Sequence, residues 1–230
     1  MMNDTTFNWS EIGRVVGPCI RPGGPVLTER ALEICDLPAG SLVADIGCGA
    51  GGTLQHLERT GHYRLVGLDH SETLLSEAAT RLETARFIRG RAETIPFGSD
   101  TFDLLLCECV LSILDDRSAA LDEFARVVKG GGYLVLSDLF GKGDHGTAGQ
   151  ADGLLLQQEL LDSLSARGFT PLLWEAHDRL LKEFAVRMIL AGECLPDSWG
   201  CCQRQKGEKT DRSGISYFLL VARKSGATFT

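Results

Sequence analysis

Between residues 43 and 51 the chain reads Val-Ala-Asp-Ile-Gly-Cys-Gly-Ala-Gly. Glycines at this spacing admit positive φ and let backbone N–H groups come close to a bound molecule. Open α/β sheets hold cofactors at such a place, just past the end of a strand. The spacing alone serves dinucleotides equally well. Asp69 closes the next apolar run, placed to accept both hydroxyls of a ribose, which suits NAD and S-adenosylmethionine (SAM) alike. Asp45 separates the two ligands. A carboxylate inside the turn opposes a pyrophosphate, but it attracts the cationic amino-acid end of SAM.

These residues need a scaffold, and the hydrophobic pattern supplies one. From Leu42 to Val135, apolar runs of strand length alternate with amphipathic stretches of helix length, the pattern of βα units and a mostly parallel sheet. Strands are expected at Leu42 to Ile46, Arg64 to Leu68, Arg86 to Ile88, Phe102 to Leu106 and Gly132 to Ser137. Helices are expected from Gly51 to Arg59, from Ser71 to Leu82 with Ser71 as N-cap, and from Ser118 to Val128. The last of these should stop at Gly130-Gly131-Gly132. Upstream, Arg21-Pro-Gly-Gly-Pro should turn into a helix through Glu29 to Cys35, so that residues 1–40 form a lid or an entry segment. Downstream, 154–165 and 179–191 have helical periodicity, and 170–175 and 215–222 read as strands. Between the last two elements, 192–214 reads as a polar insertion loop carrying Cys194, Cys201 and Cys202.

Composition narrows the function classes. With 230 residues, 43% hydrophobic and 23% charged, the chain is expected to form one packed domain. A formal net charge of −8 without a lysine or arginine cluster disfavours nucleic acid as a partner. No leader-like segment and no apolar run of about 20 residues is present, so a cytoplasmic protein without a membrane partner is expected. The 8 cysteines should then be reduced. Their number calls for packing, metal or metalloid binding, or redox chemistry.

Several ordered motifs resemble those of class I SAM-dependent methyltransferases of the small-molecule group called type 11. They are Asp45-Ile-Gly-Cys-Gly-Ala-Gly, Gly67-Leu-Asp-His-Ser, Gly90-Arg-Ala-Glu-Thr-Ile-Pro-Phe, Phe102-Asp103, and Glu123 to Gly132. The resemblance implies a doubly wound α/β sheet of seven strands in the order 3-2-1-4-5-7-6, with strand 7 antiparallel. It implies that Gly47 and Gly49 face the methionine part of SAM, Asp69 the ribose and His70 the adenine. Ala92 would offer its N–H to the ring, and Cys107 and Glu108 would line the reacting end. Arg91 stands where the family usually has an acidic residue for the adenine amine, and Glu93 is the substitute at hand.

Methyl transfer asks mainly for alignment of the acceptor and exclusion of water. Glu108 is the carboxylate best placed for general-base work, although holding the SAM amino group is the favoured role. His145, in the glycine-rich stretch 141–149, is in reach of a substrate or merely solvated. The segment Cys107-Glu-Cys-Val also resembles, in part, the place where arsenite methyltransferases supply a metalloid-binding thiolate at Cys109. The alternative is that Cys35, Cys48 and Cys107 are small buried hydrophobes. The expected activity is methyl transfer to a small-molecule acceptor. The alternatives are a thiol-dependent metalloid methyltransferase and a SAM-binding or redox-responsive protein without transfer. A structural zinc site is not favoured by the cysteine spacing.

Overall fold

The computed structural model describes residues 13, 17, 19–60, 62–142, 154–192 and 214–226. Its five leading apolar runs become parallel strands: β1 (Leu42–Ile46), β2 (Arg64–Asp69), β3 (Arg86–Arg89), β4 (Phe102–Glu108) and β5 (Val128–Gly141). They line up as β3-β2-β1-β4-β5, and the sheet continues through β8 (Ile215–Lys224) to β7 (Phe169–Ala176). β8 is antiparallel to both neighbours. The expected order is therefore present, with one addition. A two-residue strand, β6 (Leu155–Leu156), pairs in parallel with Phe140 and Gly141. The reason is geometric: β4 ends opposite Ser137 while β5 runs on to Gly141, and β6 satisfies the edge that β4 leaves open.

The sequence also placed the start of β5 too late. Gly130 to Gly132 do not stop a helix. They lie inside β5, where the ladder with β4 is irregular between Phe102 and Leu104 and Gly131 takes φ 82°. A Cβ on Gly132 would stand 2.9 Å from the Asp103 carbonyl oxygen, so this crossing has no room for a side chain.

Helices α1 (Pro25–Leu32), α2 (Gly52–Thr60) and α3 (Glu72–Ala79) cover one face, and α4 (Arg117–Val127) and α5 (Gln157–Ala166) the other. α1 begins earlier than expected, with Pro25 at its first turn, where the missing N–H costs nothing. Ser71 caps α3 by accepting from Leu74 N at 3.4 Å, and Asp116 caps α4 by accepting from Ala119 N at 2.9 Å. α6 (Asp178–Leu190) packs beside α1 on the first face through Leu180 and Leu181. Among the described residues no helix is long and apolar enough to cross a membrane.

Candidate functional site

The carboxyl ends of β1, β2 and β4 carry the residues singled out above. Asp69, at the end of β2, is 6% exposed. Its Oδ2 accepts from Gly49 N and its Oδ1 from Ser71 N, both at 2.8 Å. Two backbone turns thus fix one carboxylate, and about half of its lone-pair sites remain for a ligand's hydroxyls. The glycine turn is pinned from below, where Gly47 N and Cys48 N donate to Leu68 O at 2.7 and 3.1 Å. Its glycines differ in what they face. Gly49 has φ 51° and open space where a side chain would be, which is the surface a cofactor needs. Gly47 has φ 74°, and a Cβ there would meet Val110 Cγ2 at 2.2 Å. Gly47 is therefore required by a protein contact in its own right. His70 is largely exposed, with Nδ1 3.5 Å from Asp69 Oδ1, and flanks this end of the site.

Glu108 ends β4 on the opposite side from Cys107, as strand alternation requires. Its carboxylate is buried and held by side chains alone. Arg21 Nη2 lies 2.9 Å from Oε2, Thr53 Oγ1 donates to Oε2 at 2.8 Å, and Thr28 Oγ1 donates to Oε1 at 3.2 Å. Arg21 also donates to both threonine hydroxyls and to Gly24 O. The guanidinium and the carboxylate are 4% and 3% exposed, so this is a buried ion pair with further hydrogen bonds on both partners. Asp45, 3% exposed, shares the cluster. Burial, then the charge of Glu108, pushes its carboxyl well above the usual range, with Arg21 opposing.

Ala92 is buried in the turn after β3. Beside it, Arg91 Nη2 sits 2.9 Å from Glu93 Oε1, the arginine largely exposed and the glutamate not. Glu93 Oε2 is buried and accepts no hydrogen bond among the described residues. An acceptor oxygen held next to Ala92 without a donor is the group an adenine amine would satisfy.

The thiols are placed differently from the expectation that they line a reacting centre. Cys107 is 1% exposed and packs in the core with Ile46 and Leu105. Cys35 and Cys48 are core residues on the other face. Cys109 takes φ 57°, and its Sγ lies 3.1 Å from Tyr217 Oη, which reaches Ser137 Oγ at 3.1 Å. Burial, and then Asp138, push the Cys109 thiol far up, so it stays protonated at neutral pH. A thiolate for a soft acceptor is not what this environment favours. Among the described residues no three of His, Cys, Asp and Glu gather as metal ligands. His145, Cys194, Cys201 and Cys202 lie outside the described residues.

Sequence reasoning missed Arg21, Thr28, Thr53 and Tyr217. The three polar residues sit on α1, on α2 and in the segment before α1, none of which carries a motif, and Tyr217 looks like any strand aromatic. The one usable signal was Arg21 itself, a cation in the proposed lid close to the chain's acidic turn.

Residues 44–136 match the methyltransferase domain family. A phthiotriol/phenolphthiotriol dimycocerosates methyltransferase of Mycobacterium ulcerans is 34% identical over 104 residues, 44% of this chain and 38% of its own length. The chain spans less than half the length of this and the next curated relative it matches. Among solved structures, the [4+2]-cyclase SpnF superposes with a TM-score of 0.70 at 25% identity, covering 87% of this chain and 80% of SpnF. Phosphoethanolamine N-methyltransferase 2 of Haemonchus contortus, solved with S-adenosylhomocysteine, gives 0.74 at 17% identity over 94% of this chain and 56% of that one. The sheet order and the glycine turn agree with that match, and over residues 44–136 the chain is similar to methyltransferase domains built on this fold.

Proposed function

We propose that the chain binds SAM across the ends of β2, β1 and β4 and transfers its methyl group to a small-molecule acceptor. The observation that carries this reading is the buried Asp69 carboxylate, held by the N–H groups of Gly49 and Ser71 beside the open face of Gly49. Asp69 would take the ribose hydroxyls and Glu93 Oε2 the adenine amine, with Ala92 against the ring. Asp45 and Glu108 would hold the ammonium group, with Arg21 left to face the carboxylate. Leaving aside Glu93, which Arg91 offsets, Asp69, Asp45 and Glu108 set three carboxylates against the one guanidinium of Arg21, a balance that favours a ligand of net positive charge. SAM supplies an electrophilic methyl group. The chain's part is to orient it, to keep water out and to bring the acceptor into line.

Glu108 is already committed to Arg21 and two threonines, so its role here is binding, and proton removal at an acceptor falls to it only if that pair opens. The described turn that carries Arg21 acts as a lid, and the whole chain works as one domain. The net charge of −8 supports a small acceptor in preference to nucleic acid. The free thiols Cys19, Cys35, Cys48, Cys107 and Cys109 suit a reducing compartment, the cytoplasm. Because SpnF is named a cyclase, binding and transfer have to be tested separately. Calorimetric titration with SAM should show one site, and formation of S-adenosylhomocysteine across an acceptor panel should reveal transfer. Absence of SAM binding in folded protein would overturn the reading. Binding without turnover on any acceptor would favour a SAM-binding protein instead.

A further inference from the structure

Beside Arg21 a cavity of about 360 Å³ opens between the segment before α1, α2 and α6. One wall is a stripe along α2, Gly52, Gln55, His56 and Arg59, at the one-face spacing of a helix. The facing wall comes from α6, including Arg187. The charges here do not cancel. Arg21 is paired with Glu108, and Glu183 is held by Arg179 at 2.7 Å. Arg59 and Arg187 have no acidic partner among the described residues. His56 Nε2 is buried without a hydrogen bond, although Glu29 Oε1 stands 3.1 Å away off the bonding direction. Two guanidinium groups without an acidic partner among the described residues therefore line one cavity in a chain of net charge −8. The α2 N-terminus at Gly52 adds its positive end to the same wall.

We propose that this cavity binds the anionic group, carboxylate or phosphate, of a small molecule through Arg59 and Arg187. Guanidinium groups suit both anions because their planar N–H forks match two oxygens at once. The reading goes beyond SAM binding, which uses neither arginine. It also places the ligand beside Arg21, the one lining residue shared with the cofactor site.

The test is equilibrium dialysis of inorganic phosphate and of malonate, each against wild type and an Arg59→Gln/Arg187→Gln variant, with SAM titrated in parallel. Wild type should bind at least one probe below ~10 mM, and the variant at least about tenfold more weakly, with SAM affinity unchanged. Both arginines are on the exposed side of their helices, so the variant should fold, and its melting temperature checks this. Failure of both probes to bind wild type, or equal binding by the folded variant, overturns the proposal. Because SAM is read separately, either result leaves the cofactor reading standing or fallen on its own evidence.

Discussion

Asp69 and Glu108 stand at the two ends of one site, and they are held in opposite ways. Asp69 takes its bonds from backbone N–H groups 20 and 2 residues away in sequence, whereas Glu108 takes them from side chains of Thr28 and Thr53, 80 and 55 residues away, and from Arg21. A carboxylate held by backbone depends on glycines and a cap, and those leave a pattern in sequence. One held by distant side chains depends on how the lid docks, and that leaves none. The first end should tolerate changes elsewhere in the chain, and the second should fail when a single distant partner is removed.

The sharpest way to break this contrast is Arg21→Ala. It leaves Glu108 and Asp45 buried without their cation and should lower unfolding free energy by about 3–5 kcal/mol, read by urea titration. Adding Glu108→Gln should recover part of the loss, since the uncompensated charge goes with it. A loss under about 1 kcal/mol from Arg21→Ala would mean that the lid does not need this pair.

At the other end, Asp69→Ala should weaken SAM by roughly one to two orders of magnitude, because charge-assisted bonds contribute about 1.5–3 kcal/mol. Calorimetry on the folded variant decides it, and unchanged affinity would remove Asp69 from the cofactor site.

Asp45→Asn sharpens the comparison through pH. The folded pKa of Asp45 is raised above the ordinary 3.8, so the folded state holds the proton more tightly than the unfolded one. Its contribution to stability is therefore greatest below 3.8 and declines as pH rises through the folded value. The variant should match wild type in melting temperature at acid pH and exceed it at neutral pH, by the equivalent of about 1–2 kcal/mol. It should bind SAM more weakly at the same time. A variant less stable than wild type at neutral pH would contradict the buried-charge account.

The smallest effect is expected at Arg91→Ala. Arg91 is 60% exposed, and an ion pair at such a site is worth only about 0–1 kcal/mol, so SAM affinity should change by less than about fivefold. A larger loss would show that Arg91 sets the position of Glu93.

The parts of this molecule that were readable in its sequence are those governed by local rules. β1 to β4, the Ser71 cap and the glycine turn all follow from periodicity, capping chemistry and positive φ within a few residues. The misplaced start of β5 has a long-range cause. Gly130 to Gly132 look like a helix stop, yet the Asp103 carbonyl 2.9 Å from any Cβ on Gly132 is what excludes a side chain there. Cys107 and Cys109 teach the same point within three residues. Both follow an apolar run, but alternation sends one into the core, and a positive φ turns the other toward Tyr217 on β8. No local pattern announces a partner 108 residues away.

The position of β8 has a consequence for the order in which the chain can fold as it is made. β8 lies between β5 and β7, though both are synthesised before it. Until residues 215–224 leave the ribosome, β5 and β7 each keep an open edge, with apolar residues such as Leu134, Leu136 and Trp174 beside it. Pairing β5 with β8 joins residues 74 to 90 apart, and contacts of that separation form slowly. A nascent chain halted before Ile215 thus has a sheet that ends at β5 and a β7 without its pairing strand, with Tyr217 missing from beside Cys109 and the edge of β5 and both edges of β7 exposed to chaperones or to another copy of the chain.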